Sequence, residues 1–437
     1  MRFVLIFFII AIFELANSNI CPALYNKYKM DVIIDNIDVH PTNAAVFNTP
    51  IVVFKNNVYF VTVESPKNKT DFNEYNLLTV VYKINLQNNI IDKKIIDSNT
   101  IEDRWHTQPS IGIDEEGYIH IAYNMHNMPW QYVISKNPED ISEFEFKGQK
   151  ISIEDIKKVK KENKTNFQTI GEGVIPGNQI TYPAFFNDKF RGLYITYRYK
   201  LKPSRKWDDR ASAGGVAKYD SKKKKWMAIG GPVRISDEDV VLTNKADVPV
   251  SDPFLYSDSH EPYLIQLAFD SANNIHASWL WREGGAGPDC SNPSYLKLTN
   301  ETKLPISFNY KNFIDSSERK YYAPSSITVD KNNNVWVINC PVNETREVIN
   351  INKSKKYKTP SGANIILSDK YGNKFYFASG PRIYIDMFYS SFQVKNIYTG
   401  YGGKYLKVVY DNHSSSFYIY MHKDKHTVQI LKFYKVY

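Results

Sequence analysis

The sequence predicts an all-β chain folded as a seven-bladed β-propeller, and three observations carry that expectation. Aromatic residues make up 14% of the 437, with 32 Tyr, while helix-period stretches are few. Apolar strands of period two recur along the chain, each turning at Asp, Asn or Gly into a second, aromatic-rich strand. Seven such units occur, and recurring antiparallel copies fit propeller blades better than a sandwich, whose strands need not repeat.

In chain order, Met1 to Ser18 comes first, MRFVLIFFIIAIFELANS: one Arg, an apolar run broken by Glu14, then Ala16-Asn17-Ser18 at the positions a signal peptidase favours. The run is too short to span a bilayer comfortably, so residues 1–18 read as a cleaved secretory signal peptide. No later stretch reaches transmembrane length. Residues 19–437 are therefore expected to be a soluble, secreted, extracellular single domain, monomeric, with blades from about residue 40. Sequons at Asn68, Asn163, Asn300, Asn343, Asn352 and Asn412 are glycosylation acceptors if the host is a eukaryote. Cys21, Cys290 and Cys340 close one disulfide at most, so stability has to come from a packed core. The net charge of +9 survives signal removal, because Arg2 and Glu14 leave together, and it suits an anionic partner.

The first unit is Thr49 to Val63, TPIVVFKNNVYFVTV, turning at Lys55-Asn56-Asn57. The second turns near Asp114; the third, Tyr182 to Tyr199, turns at Asn187-Asp188. Tyr263 to Arg282 turns after Asp270, and Pro324 to Cys340 after Asp330. The last two turn around Asp369 and Asp411. Between the third and fourth, GGVAKYDSKKKKWMAIGG reads as the outer hairpin of the third blade.

The second unit, RWHTQPSIGIDEEGYIHIAYNMHNMPWQY, holds three of the nine histidines. His120, between Ile119 and Ile121, reads as an ordinary sheet histidine with a satisfied hydrogen bond. His126 continues the His120 face only if the strand stays regular. His106 precedes the first strand and His126 ends the second, and an antiparallel hairpin brings those ends together. Both are flanked by polar, turn-forming residues, which makes them the better functional candidates. In the third unit, Tyr182 opens the first strand and Arg198 closes the second, the same placement one blade on. Arg198 near the end of an apolar strand needs a carboxylate, a carbonyl or a ligand. A propeller gathers such ends around its axis, so the four groups are expected at one mouth.

The pattern H-x2-PSIGID-x2-GYIH-x2-Y-x2-H-x5-Y, followed by TYP-x-FF and an Arg sixteen residues after its Tyr, resembles the BNR-repeat-like seven-bladed propellers that include ulvan lyases. NIHASWLWRE in the fourth unit resembles their IHxxWxWR element. The resemblance implies a polysaccharide lyase that cleaves an acidic, uronate-containing polysaccharide by β-elimination. It places His106, His126, Tyr182 and Arg198 on catalytic positions, and Tyr263 and Arg282 in substrate binding. Some members hold a structural zinc, for which only His276, Asp289 and Cys290 are at hand; the elimination itself requires no cofactor. Where related lyases continue with an Asn-His pair, this chain reads DCSNPSYLKLT.

The residue types suit that chemistry. Taking a proton from beside a carboxylate requires its developing charge to be neutralised, and an arginine does so with a bidentate fork. A neutral histidine is a suitable base, and a tyrosine can protonate the departing glycosidic oxygen. Either His106 or His126 is the base, with Tyr182 as acid or alternate base and Arg198 as neutraliser. A non-catalytic, lectin-like propeller that binds acidic glycan is the main alternative. A sialidase-like hydrolase would need an arginine cluster and a Tyr/Glu pair. Neither nucleic acid nor a membrane is expected as partner.

Overall fold

The computed structural model describes residues 27–43, 48–66, 75–101, 106–148, 150, 152–155, 157, 175, 180–200, 212–229, 255–256, 260–283, 290–298, 320–321, 326–339, 346–359, 364–378, 383–389, 392–400 and 404–436. They form seven antiparallel sheets, each built around four strands in meander order. The inner two strands are Ile51–Phe54 and Asn57–Glu64 in the first blade, and Ser110–Ile113 and Ile119–Ala122 in the second. They are Ile180–Asn187 and Leu193–Lys200 in the third, and His260–Phe269 and Ile275–Glu283 in the fourth. Ile327–Val329 with Val335–Asn339 and Ile365–Ser368 with Lys374–Ala378 begin the fifth and sixth. Lys404–Asp411 and Ser416–His422 begin the seventh. Each inner strand lies beside that of the next blade, and Lys404–Asp411 lies beside Ile51–Phe54, which closes the ring. The outer hairpin expected for the third blade is present as Ser212–Asp220 and Lys225–Ala228.

Five blades turn on the same device. Asp114, Asp188, Asp270, Asp330 and Asp369 each accept, on Oδ1, the backbone N–H groups two and four residues on, at 2.7–3.1 Å. The third residue after each Asp has positive φ: Gly117, Arg191, Asn273, Asn333 and Gly372. The carboxylate holds a turn that would otherwise leave two N–H groups without partners. Four of these aspartates also bond a ring in the following strand: His120, Tyr194, His276 and Trp336. Phe375 takes that place in the sixth blade and has no donor to offer.

Strand alternation explains the packing. In Asn57–Glu64, buried throughout, Val58 and Phe60 join Tyr418, Tyr420, Val428 and Ile430 of the seventh blade. Tyr59 and Val61 join Ile111, Ile119 and Ile121 of the second. Both faces of a blade are covered, so the strand reads as a near-continuous apolar run, and each large side chain stabilises by roughly 1.5–3 kcal/mol.

The seventh sheet is completed from the other end of the chain. Tyr28–Asp38 pairs antiparallel with Thr427–Lys435 as its outermost strand. Among the described residues the first blade strand is thus Tyr28–Asp38, ahead of the expected start near residue 40, and it serves the last blade. Among the described residues, no helix is long and apolar enough to cross a membrane. The expected signal peptide, residues 1–18, lies outside the described residues, as do the sequons at Asn68, Asn163, Asn300 and Asn343.

Candidate active site

The second blade's second strand stops at Ala122, and Asn124 takes a φ of 57°. His126 therefore does not continue the His120 face. The segment His126–Met128 leaves its own sheet and pairs with the third blade, His126 opposite Thr181 and Met128 opposite Ile180. Asn127, at a φ of 54°, donates its N–H to the Thr181 hydroxyl at 2.9 Å, and that hydroxyl donates to Asn127 Oδ1 at 3.1 Å. Sequence reasoning did not single out Asn127 or Thr181. Their signal is a polar residue beside each site residue.

Thr181 also starts a β-bulge. It pairs with Arg198, the next bridge is Ala184 with Thr196, and Tyr182 between them has a φ of 54°. A bulky side chain in the left-handed region costs on the order of 1–2 kcal/mol, a strain that aims the ring where a regular strand would not. Pro183 falls inside the bulge, where it has no ladder hydrogen bond to lose, and its carbonyl accepts the Ser110 hydroxyl at 2.5 Å.

The result is convergence. His106 and His126 stack with ring centroids 4.4 Å apart at 13°. Tyr182 lies 6.0 Å from the first and 5.9 Å from the second. The Arg198 Cζ stands 5.2 Å from the Tyr182 ring centroid and 5.6 Å from that of Tyr263. Those two tyrosines meet edge to face at 5.6 Å. Leu264 and Leu280 pack behind them from the fourth blade. Arg198 is only 7% exposed, and between aromatic faces its guanidinium acts in a medium less screening than water.

The other histidines of the inner hairpins do different work. His120 is fully buried between the Tyr132 hydroxyl at 2.5 Å and Asp114 at 3.3 Å, and burial pushes its pKa down. His276 repeats the arrangement with Tyr295 at 2.7 Å and Asp270 at 3.3 Å, again with burial lowering its pKa. Both ring nitrogens of His276 are engaged, so a zinc ion there would have to displace Tyr295 or Asp270. The side chains of Cys290 and Arg282 and all of Asp289 lie outside what the structure describes. Arg282 pairs with Glu261 on the backbone ladder. Among the described residues no group of three or more His, Cys, Asp or Glu is placed to hold a metal. Of the three residues expected for zinc, only the His276 side chain lies within the described residues.

Residues 72–379 match the sequence model of a BNR repeat-containing family. Among solved structures, the polysaccharide lyase Uly1 superposes with a TM-score of 0.62 at 12% identity, over 90% of this chain and 91% of that one. A PL25 ulvan lyase bound to -[GlcA(1-4)Rha3S]- superposes with a TM-score of 0.54 at 11% identity, over 92% and 95%. At such identities the likeness is one of fold. No curated protein matches the sequence.

Proposed function

This chain belongs to the BNR repeat-containing family, and from that premise we propose that it is a secreted polysaccharide lyase cleaving a uronate-containing acidic polysaccharide by β-elimination. One observation carries the reading: His106, His126, Tyr182 and Arg198, from two adjacent blades, meet in a single cluster with Tyr263. Arg198 neutralises the carboxylate as charge builds on it. His106 or His126 takes the proton from the neighbouring carbon, whose electron pair becomes the new double bond. The bond to the glycosidic oxygen breaks, and Tyr182 supplies the proton that oxygen gains. No oxidant, water or metal enters that balance. The ulvan lyase ligand carries glucuronate, the kind of unit this arrangement accepts. The net charge of +9 favours approach of an acidic polymer.

The test is direct. Incubation with a panel of uronate polymers, ulvan included, is expected to produce the unsaturated uronate chromophore, and Arg198→Ala is expected to suppress it. A lectin-like reading has one specific support, the DCSNPSYLKLT segment that lacks the Asn-His pair of related lyases. Under that reading acidic glycan binds and no unsaturated product forms.

A further inference from the structure

The bulge that aims Tyr182 recurs in the seventh blade. Lys404 pairs with His422, the next bridge is Lys407 with Tyr420, and Tyr405 between them has a φ of 52°. The third blade has Thr181 with Arg198, Ala184 with Thr196, and Tyr182 at 54°. Tyr405 thus occupies in the seventh blade the place Tyr182 holds in the third, and His422 the place of Arg198. The cross-strand residue touches the ring in both blades: His422 meets Tyr405 edge to face at 5.8 Å, and the Arg198 Cζ lies over the Tyr182 ring at 5.2 Å. The fourth blade has the same bulge, with apolar Leu264 at 57° and Leu280 across from Tyr263, and these two leucines pack with Tyr182 and Tyr263.

Behind Tyr405 is a fixed polar scaffold. Asn43 donates to the Tyr420 hydroxyl at 2.6 Å and lies 3.2 Å from His422 Nε2. The side chain of Gln108, two positions beyond His106, also hydrogen-bonds Tyr420. The seventh-blade cluster is therefore tied to the segment carrying His106. His422 and Tyr420 are fully buried, whereas Tyr405 keeps part of its surface open.

We propose that Tyr405 is a second saccharide-binding platform on the rim that carries Tyr182, stacking the apolar face of a sugar ring some units away from the uronate held at Arg198, with His422 as its positioning residue. The inference rests on the proposed lyase reading. Inner- and second-strand ends of every blade face one mouth, so a polymer lying across it meets the third and seventh blades from opposite sides.

The experiment uses full-length protein carrying Tyr182→Phe, so that substrate is not consumed, and titrates it with a disaccharide and a hexasaccharide of the -[GlcA(1-4)Rha3S]- repeat. Tyr405→Ala is expected to weaken the hexasaccharide about tenfold and leave the disaccharide within about twofold, as loss of one aromatic contact implies. Tyr405→Phe and Tyr405→Trp keep the ring and should restore length dependence, an outcome that a purely structural role would not give. His422→Gln should behave as a weaker Tyr405→Ala. Equal loss for both lengths, or no loss for either, in a protein whose wild type cleaves these polymers overturns this inference alone. If the wild type neither binds nor cleaves them, the lyase reading fails and the platform fails with it.

Discussion

His106 and His126, on either side of the second blade's inner hairpin, stack face to face with centroids 4.4 Å apart. Each therefore fixes the other's ring plane, and the pair should act as a unit. Single replacement by Ala is expected to lower kcat by roughly 10²–10⁴ where the base is lost, and by less where only its support is lost. The double variant should be little slower than the worse single one. Steady-state kinetics of the three variants check this, and strictly multiplicative losses would mean that the rings work independently.

Arg198 is buried against two tyrosine rings. Arg198→Ala should cost on the order of 3 kcal/mol or more in transition-state stabilisation, read as a fall in kcat/KM. Arg198→Lys should recover only part of it, since the charge remains and the planar fork is gone. Equal activity of the Lys variant would remove the bidentate role.

Asp270 holds two turn N–H groups, the His276 ring and the Lys297 ammonium, while Asp369 holds its turn without a ring donor from the following strand. Asp270→Ala leaves more buried partners unsatisfied. It should destabilise by about 2–4 kcal/mol, and Asp369→Ala by about half of that. Urea denaturation of both variants compares them, and a larger loss at Asp369 would contradict the repeat argument.

Burial holds the His422 pKa down to about 4, and those of His120 and His276 are also lowered. A histidine depressed in the folded state binds its proton more tightly when unfolded. The stability it contributes is present above about pH 6.5 and is lost as pH falls toward 4, on the order of 3 kcal/mol for His422. Melting temperature should decline across that window, and His422→Gln should flatten the slope. A melting temperature that holds level from 6.5 to 4 would count against it.

Much of the fold was legible because its information is local. Asp114, Asp188, Asp270, Asp330 and Asp369 mark turns whose bonds lie within four residues, and the flanking period of two gives the strands. That His106 and His126 flank one hairpin, and Tyr182 and Arg198 the next, was readable from antiparallel pairing. What could not be read depends on the closed ring. Tyr28–Asp38 finds its partner strand at the far end of the chain. His126–Met128 crosses to a neighbouring blade. The bulges at Tyr182 and Tyr405 are register shifts, which leave no period in a sequence.

Elimination at the cluster of His106, His126, Tyr182 and Arg198 is tested most directly by following the unsaturated uronate chromophore during incubation with ulvan and other uronate polymers. Wild type should generate it from at least one of them. Tyr182→Phe should bind the same polymer with unchanged affinity and generate none, because only the phenolic proton has been removed. A wild type that binds acidic glycan and releases no unsaturated product, or a Tyr182→Phe variant that turns over at the wild-type rate, would contradict the account.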